Sequence, residues 1–159
     1  MAHASIAATD PTRIREDRAI FRALRIIEKR AVEVGELISD PETSGTFFRL
    51  RLGNEKNEHF EVAFLDTRHR LIACERLFHG TIDGASVHAR VVAQRALELN
   101  AAAAICAHNH PSGNPEASGA DRAITRTLRE ALALIDVRLL DHLVVTAGSA
   151  VSLARKGWL

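Results

Sequence analysis

Apolar residues recur at helical spacing from about Arg13 to Ala31, at Ile20, Leu24, Ile27 and Ala31. The opposite face of that stretch carries Arg15, Arg18, Arg22, Arg25 and Lys29. Val34-Gly35 breaks the pattern, and Asp40-Pro41 restarts it. Asp40 or Ser39 suits a helix N-cap and Pro41 the first helical position, so a second helix is predicted to about Leu52, with Phe47, Phe48 and Leu50 inward. Gly53-Asn54 ends it. The period then changes from 3.6 to two. From Glu58 to Asp66, Phe60, Val62 and Phe64 share one face and Ala63 and Leu65 the other. Two apolar faces predict a strand inside a sheet. Thr67 to Arg70 reads as a turn and Leu71 to Phe78 as the second strand of an antiparallel hairpin. A loop with two glycines is expected over His79 to Ala85.

The second half alternates. Val87 to Leu99 is predicted helical, with Val92, Ala96 and Leu99 spaced for burial. Ala101 to Ala107 is entirely apolar; its length and its place after a helix favour a buried strand. A helix follows from Ser118, with Ile124, Leu128, Leu132 and Ile135 at core spacing, then a strand over Val137 to Thr146. Ala147-Gly148-Ser149 turns the chain into a short segment, Ala150 to Leu153. Helices, then a hairpin, then alternating helix and strand predict a three-layer α/β fold with a mixed sheet.

Composition changes this picture little. The 159 residues are 47% hydrophobic and 26% charged, as in an ordinary soluble domain. A net charge of +1 gives no global attraction to nucleic acid or anionic lipid, so such binding needs a local patch. Two cysteines, Cys74 and Cys106, are too few for a disulfide framework and suit a reducing cytosol; the expected location is cytoplasmic. No apolar run approaches the ~20 residues of a membrane span. Met1-Ala2-His3-Ala4-Ser5 has no signal-peptide pattern.

The chemistry concentrates where the apolar run Ala101 to Ala107 gives way to a Pro/Gly/Asn loop, in His108-Asn109-His110-Pro111-Ser112-Gly113. Residues i and i+2 of a strand point the same way, so His108 and His110 can reach one cation. Asp121, carried back on the next helix, supplies a third ligand. Three protein ligands and an open position describe a catalytic zinc rather than a structural one. Asp121 has a second reading. Ser118-Gly119-Ala120-Asp121 is a capping-box sequence, and an acid in the first turn is favoured by the helix dipole without any metal. The two upstream histidines favour ligation. An Asp121 oxygen on zinc is not expected to be free to close the box. Cys106 shares the parity of the histidines and is either a further ligand or a buried core thiol. Asp141-His142 is either an outer partner of the ligating histidines or an internal pair elsewhere.

His-x-His-Pro, then Ser118, then Asp121 with ten residues between His110 and Asp121, resembles the metal-binding signature of the JAB/MPN (JAMM) metalloprotease domains. The form His-Asn-His-Pro-Ser-Gly resembles the RadC branch. Phe64-Leu65-Asp66, Leu77 to Ile82, Leu97 to Ala104, Leu140 to Val145 and Lys156-Gly157-Trp158-Leu159 agree with it. The likeness extends over nearly all the chain after the first dozen residues, as in short RadC-like proteins without an N-terminal helix-hairpin-helix module. It implies the JAB/MPN fold, similar to that of cytidine deaminases, over 55–159, with a helical segment over 13–54 and a flexible N-terminus over 1–12. It also implies Zn2+ on His108, His110 and Asp121, with Glu58 as general base and Ser118 hydrogen-bonding the developing oxyanion. Glu61, expected on the opposite strand face, and Glu75 are the alternatives to Glu58. One departure stands out. RadC relatives carry Pro-Arg-Glu at the start of the middle helix, whereas here His88-Ala89-Arg90-Val91 keeps only the arginine.

Two functions follow as expectations. One is a zinc-dependent hydrolase, a peptidase or isopeptidase acting on a protein or peptide substrate. The other is a DNA-repair-associated accessory protein or metal-dependent nuclease that contacts DNA through the Arg15–Lys29 stripe. That stripe is diluted by Glu16, Asp17 and Glu28, which favours a solvated helix face over a phosphate contact. The letters His-Asn-His are not an HNH nuclease motif, whose residues are widely separated, and the deaminase pattern H-x-E…P-C-x-x-C is absent.

Overall fold

The computed structural model describes residues 10–34, 38, 40–80 and 87–159. Of the lead-in expected over 1–12, residues 1–9 lie outside them, as do Gly35 and residues 81–85 of the glycine loop. Helix α1 spans Pro11–Val34, opening two residues earlier than expected. Helix α2 spans Pro41–Leu52 and is capped as its sequence dictates: the Asp40 side chain accepts hydrogen bonds from the Glu42 and Thr43 amides, and Pro41 occupies the first turn. Phe47, Phe48 and Leu52 are its buried apolar residues; Leu50, expected inward, is only partly covered.

Strands β1 (His59–Leu65) and β2 (Leu71–His79) form the antiparallel hairpin. Helix α3 is Ala89–Glu98, β3 Ala103–Asn109, α4 Gly119–Ala133, β4 Arg138–Val145 and β5 Ala150–Ser152. The sheet order is β2-β1-β3-β4-β5. All neighbours are antiparallel except β3 and β4, which α4 connects as a parallel pair. The sheet is therefore mixed, and β1 and β3 lie inside it, fully buried as their two apolar faces require.

Strand alternation sorts the core into two layers. Ala63, Leu65, Ile105 and Leu143 face α2, and Ile27 of α1 packs against the same cluster. Phe60, Val62, Phe64, Ala104 and Cys106 face α3 and α4, where Val92, Ala96, Leu128 and Leu132 meet them. The result is the expected three-layer α/β arrangement. β3 runs two residues beyond its predicted end, so His108 and Asn109 belong to the strand. Parity places His108 on the α3/α4 face, and α4 brings Asp121 back over it.

Candidate metal centre

Three side chains converge where β3 ends. His108 Nε2 lies 3.1 Å from Asp121 Oδ1, His110 Nε2 lies 3.5 Å from Asp121 Oδ2, and the two Nε2 atoms are 3.0 Å apart. One ligand atom from each falls within 4.8 Å of the others; no further such cluster occurs among the described residues. His108 is buried on the strand. His110 stands just past it, its amide bonded to the Val145 carbonyl at 2.8 Å, which extends the sheet by one bond.

The hydrogen bonds on the far side of each ring decide where its proton sits. The Thr125 hydroxyl donates to the Asp121 carbonyl at 2.6 Å, and its single proton is thereby used. Its oxygen then accepts from His142 Nδ1 at 2.6 Å. That leaves His142 Nε2 bare, and it accepts from His108 Nδ1 at 2.9 Å. His110 Nδ1 donates to the Asn114 carbonyl at 2.8 Å. Both histidines of the cluster, when neutral, therefore turn a bare Nε2 lone pair toward a carboxylate. Three lone-pair groups this close repel unless something positive lies among them.

Burial pushes the Asp121 carboxyl upward, but hydrogen bonds from His108 and His110, made when their Nε2 atoms carry protons, outweigh it and hold the group far below the usual carboxylate range. The Asp121 hydrogen bond and charge, helped by the Asn114 carbonyl and the Glu58 charge, raise His110 above its ordinary value despite partial burial. Burial, reinforced by the charge of His108, drives His142 well below its ordinary value and keeps it neutral. The donor set (two imidazoles and a carboxylate, each ring steered by an outer acceptor) fits a divalent zinc-like cation.

Asp121 also closes the capping box. Its Oδ2 accepts from the Ser118 amide at 2.6 Å and the Ser118 hydroxyl at 2.7 Å, while the Asp121 amide donates to Ser118 Oγ at 3.1 Å. The box engages Oδ2, while Oδ1 faces His108. The Ser118 hydroxyl proton is thus engaged with Asp121 in this state.

A scan against family models matches residues 38–158 to the RadC-like JAB domain. The chain belongs to the RadC-like JAB family. It is 58% identical over 129 residues to a UPF0758 protein of Xanthomonas oryzae pv. oryzae, covering 81% of this chain and 57% of that one. A UPF0758 protein of Xylella fastidiosa matches equally, with 58% of its length covered. One from Xanthomonas campestris pv. campestris is 56% identical over 128 residues, 80% of this chain and 57% of the relative. The chain therefore spans somewhat over half the length of these relatives. The JAB superfamily includes metal-dependent hydrolases.

The other acids of this JAB domain separate cleanly. Glu61 lies on the α2 face, away from the cluster, and is almost wholly buried between Arg51 (2.6 Å) and Arg76 (3.1 Å). Glu75 is held by two bonds from Arg95, at 2.7 and 2.8 Å. Glu58 precedes β1, partly exposed, and its carboxylate has no partner among the described residues. Phe60 pairs with His108, so the same antiparallel register brings Glu58 beside His110, whose charge it feels. Cys106 is a buried core thiol, raised far above its ordinary value by burial, and is not part of the cluster. Asp141 turns to the opposite side, where Oδ1 accepts from the His142 and Ala154 amides, so only His142 backs the site. His88, at the altered triplet, stands at the N-cap of α3 without a side-chain cap bond.

Three contributors escaped the sequence reading. Thr125 lies one turn beyond Asp121, and that i+4 spacing was its available signal. The Asn114 contribution is a backbone carbonyl and leaves no residue-type signal. Asn109, between the two histidines, points to the other side of β3. It accepts from the His59 amide at 2.8 Å and donates to the Asn57 carbonyl at 3.0 Å, fastening the approach to β1 that carries Glu58.

Proposed function

We propose that the chain is a zinc-dependent hydrolase of the JAMM type that cleaves peptide or isopeptide bonds. The observation that carries this reading is the convergence of His108 Nε2, His110 Nε2 and Asp121 Oδ1, with the outer ring nitrogens facing His142 Nε2 and the Asn114 carbonyl. His108, His110 and Asp121 would hold the metal, which supplies Lewis acidity for a polarised carbonyl and an acidified water. Glu58 takes the proton of the attacking water and returns it to the leaving nitrogen; its unpaired carboxylate beside His110 suits both transfers. Ser118 turns its hydroxyl from Asp121 Oδ2 to the developing oxyanion, a donor aimed at new negative charge. His142 and Thr125 keep the His108 ring fixed in orientation and tautomer.

The first test is metal content by plasma mass spectrometry on protein purified without chelator or nickel. About one zinc per chain is expected for a site of this type. Loss of that zinc in both His110→Ala and Asp121→Ala, with circular dichroism unchanged, supports the ligand set. No zinc in the wild type, even after zinc is restored, overturns it. Peptide and isopeptide libraries then test cleavage, with Glu58→Gln expected to keep zinc and lose turnover.

A second reading draws on α1, whose Arg15, Arg18, Arg22 and Arg25 are all exposed. DNA affinity that falls steeply with salt and is lost when these arginines become glutamine supports a DNA-associated role. Affinity indifferent to them removes it.

A further inference from the structure

We propose that the groove between α4 and the C-terminal turn is a docking site for an acidic peptide segment. Arg122, Arg126 and Arg129 occupy successive turns of α4, along the flank of the face that buries Thr125, Leu128 and Leu132. Gly157, at φ 74°, turns the chain so that Trp158 and Leu159 lie against these arginines and wall a cavity of about 400 Å³. Its lining is those three arginines with Gly157, Trp158 and Leu159, and it contains no acidic side chain.

Arginines elsewhere are of both kinds, and Arg49, Arg90 and Arg155 also reach no carboxylate among the described residues. Arg51, Arg70, Arg76 and Arg95 each reach a carboxylate at 2.6 to 2.8 Å. None of Arg122, Arg126 and Arg129 does so among the described residues. Glu130 stands four residues after Arg126 on the same helix, but no ion pair joins it to these arginines among the described residues. Three guanidinium groups along one helix repel each other modestly, and an anionic ligand removes that cost.

The groove's own geometry favours a peptide over nucleic acid. The Arg122 guanidinium carbon lies 4.9 Å from the Trp158 ring centroid and the Lys156 ammonium 5.7 Å. Cations already use the indole, so it orders the basic groups rather than offering a free face for base stacking. Guanidinium forks match carboxylates with paired hydrogen bonds. Side chains two residues apart on an extended peptide share a face at about 6.8 Å, close to the spacing of successive turns on α4. An extended segment with alternate glutamates can therefore run along the row, the flexible arginine side chains taking up the difference from the helix pitch of about 5.4 Å. This docking does not depend on the metal centre.

The test is fluorescence anisotropy with a labelled peptide of alternating glutamate and serine, its glutamine-for-glutamate counterpart, and a labelled oligothymidine of equal charge. Each is titrated in low salt, with EDTA present and again with zinc. The glutamate peptide is expected to bind at least about tenfold more tightly than the glutamine peptide, with or without metal. Arg126→Gln/Arg129→Gln is expected to weaken it about tenfold, and the paired lysine variant less. Arg15→Gln/Arg18→Gln on α1 should leave binding unchanged. Both groove arginines are exposed, so unaltered thermal melting of the variants checks the fold. Equal affinity for the two peptides, or indifference to Arg126 and Arg129, overturns the proposal. Tighter oligothymidine binding through the same arginines also overturns it and makes the groove a nucleic-acid site. Binding only in the presence of zinc overturns its independence and moves the peptide to the metal centre.

Discussion

Asp121 joins a helix cap to a candidate metal ligand: Oδ2 closes the cap beside His110, and Oδ1 faces His108. This makes the cap separable by experiment. In chelated protein, Ser118→Ala and Asp121→Ala should each lower stability in urea unfolding by about 1 kcal/mol, the usual worth of a capping interaction. The double variant should lose less than the sum, because either change alone opens the same box. Only Asp121→Ala should abolish metal binding. His142 offers a complementary test from behind the ring. His142→Leu removes the acceptor of His108 Nδ1 and frees the ring to turn. Zinc affinity measured by competition with a chromophoric chelator should fall about 10–100-fold. An unchanged affinity would mean that the ring is held by Phe60 stacking and packing alone.

Among the elements, the hairpin and the two N-terminal helices are joined by charge as well as by apolar contact. Arg51 of α2 bonds Glu28 of α1 at 3.1 Å and Glu61 of β1 at 2.6 Å, and Arg76 of β2 bonds Glu61 and Glu55. Glu61 is the buried centre of this network, with its side chain 1% exposed. Glu61→Ala leaves Arg51 facing an empty buried site and should cost about 3–5 kcal/mol in chemical unfolding. Glu61→Gln keeps acceptor and shape and should cost less. A loss under 1 kcal/mol for the alanine variant would show that water replaces the carboxylate freely. The alternation over 58–66 separated Glu58 from Glu61, but could not reveal that Glu61 serves packing, because its partners lie 10 and 15 residues away on other elements.

For the whole molecule, the proposed metal binding would be linked to folding. A cation held by β3 and α4 ties together segments that meet only in the folded chain, so zinc should stabilise the protein. At a free concentration 100 times Kd the gain is about 2.7 kcal/mol, read as a rise in Tm that His110→Ala eliminates. Equal shifts in wild type and variant would assign the effect to nonspecific binding. No described helix is long and apolar enough to cross a membrane.

The sequence by itself determined the order of elements, the burial of β1 and β3, the caps of α2 and α4, and the spacing of His108, His110 and Asp121. These depend on near-neighbour periodicity and on side chains acting within one turn or one strand. Tertiary structure alone decided the rest. It selected His142 over Asp141 as the group behind His108, because only one residue of that pair faces the α4 layer. It recruited Thr125 and the Asn114 carbonyl to set the proton positions, and it used Asn109 to reach a strand 50 residues earlier. It also laid Trp158 against the arginines of α4. Each of these is a hydrogen bond or contact between groups distant in sequence, and residue type at one position does not specify which partner the fold will bring to it.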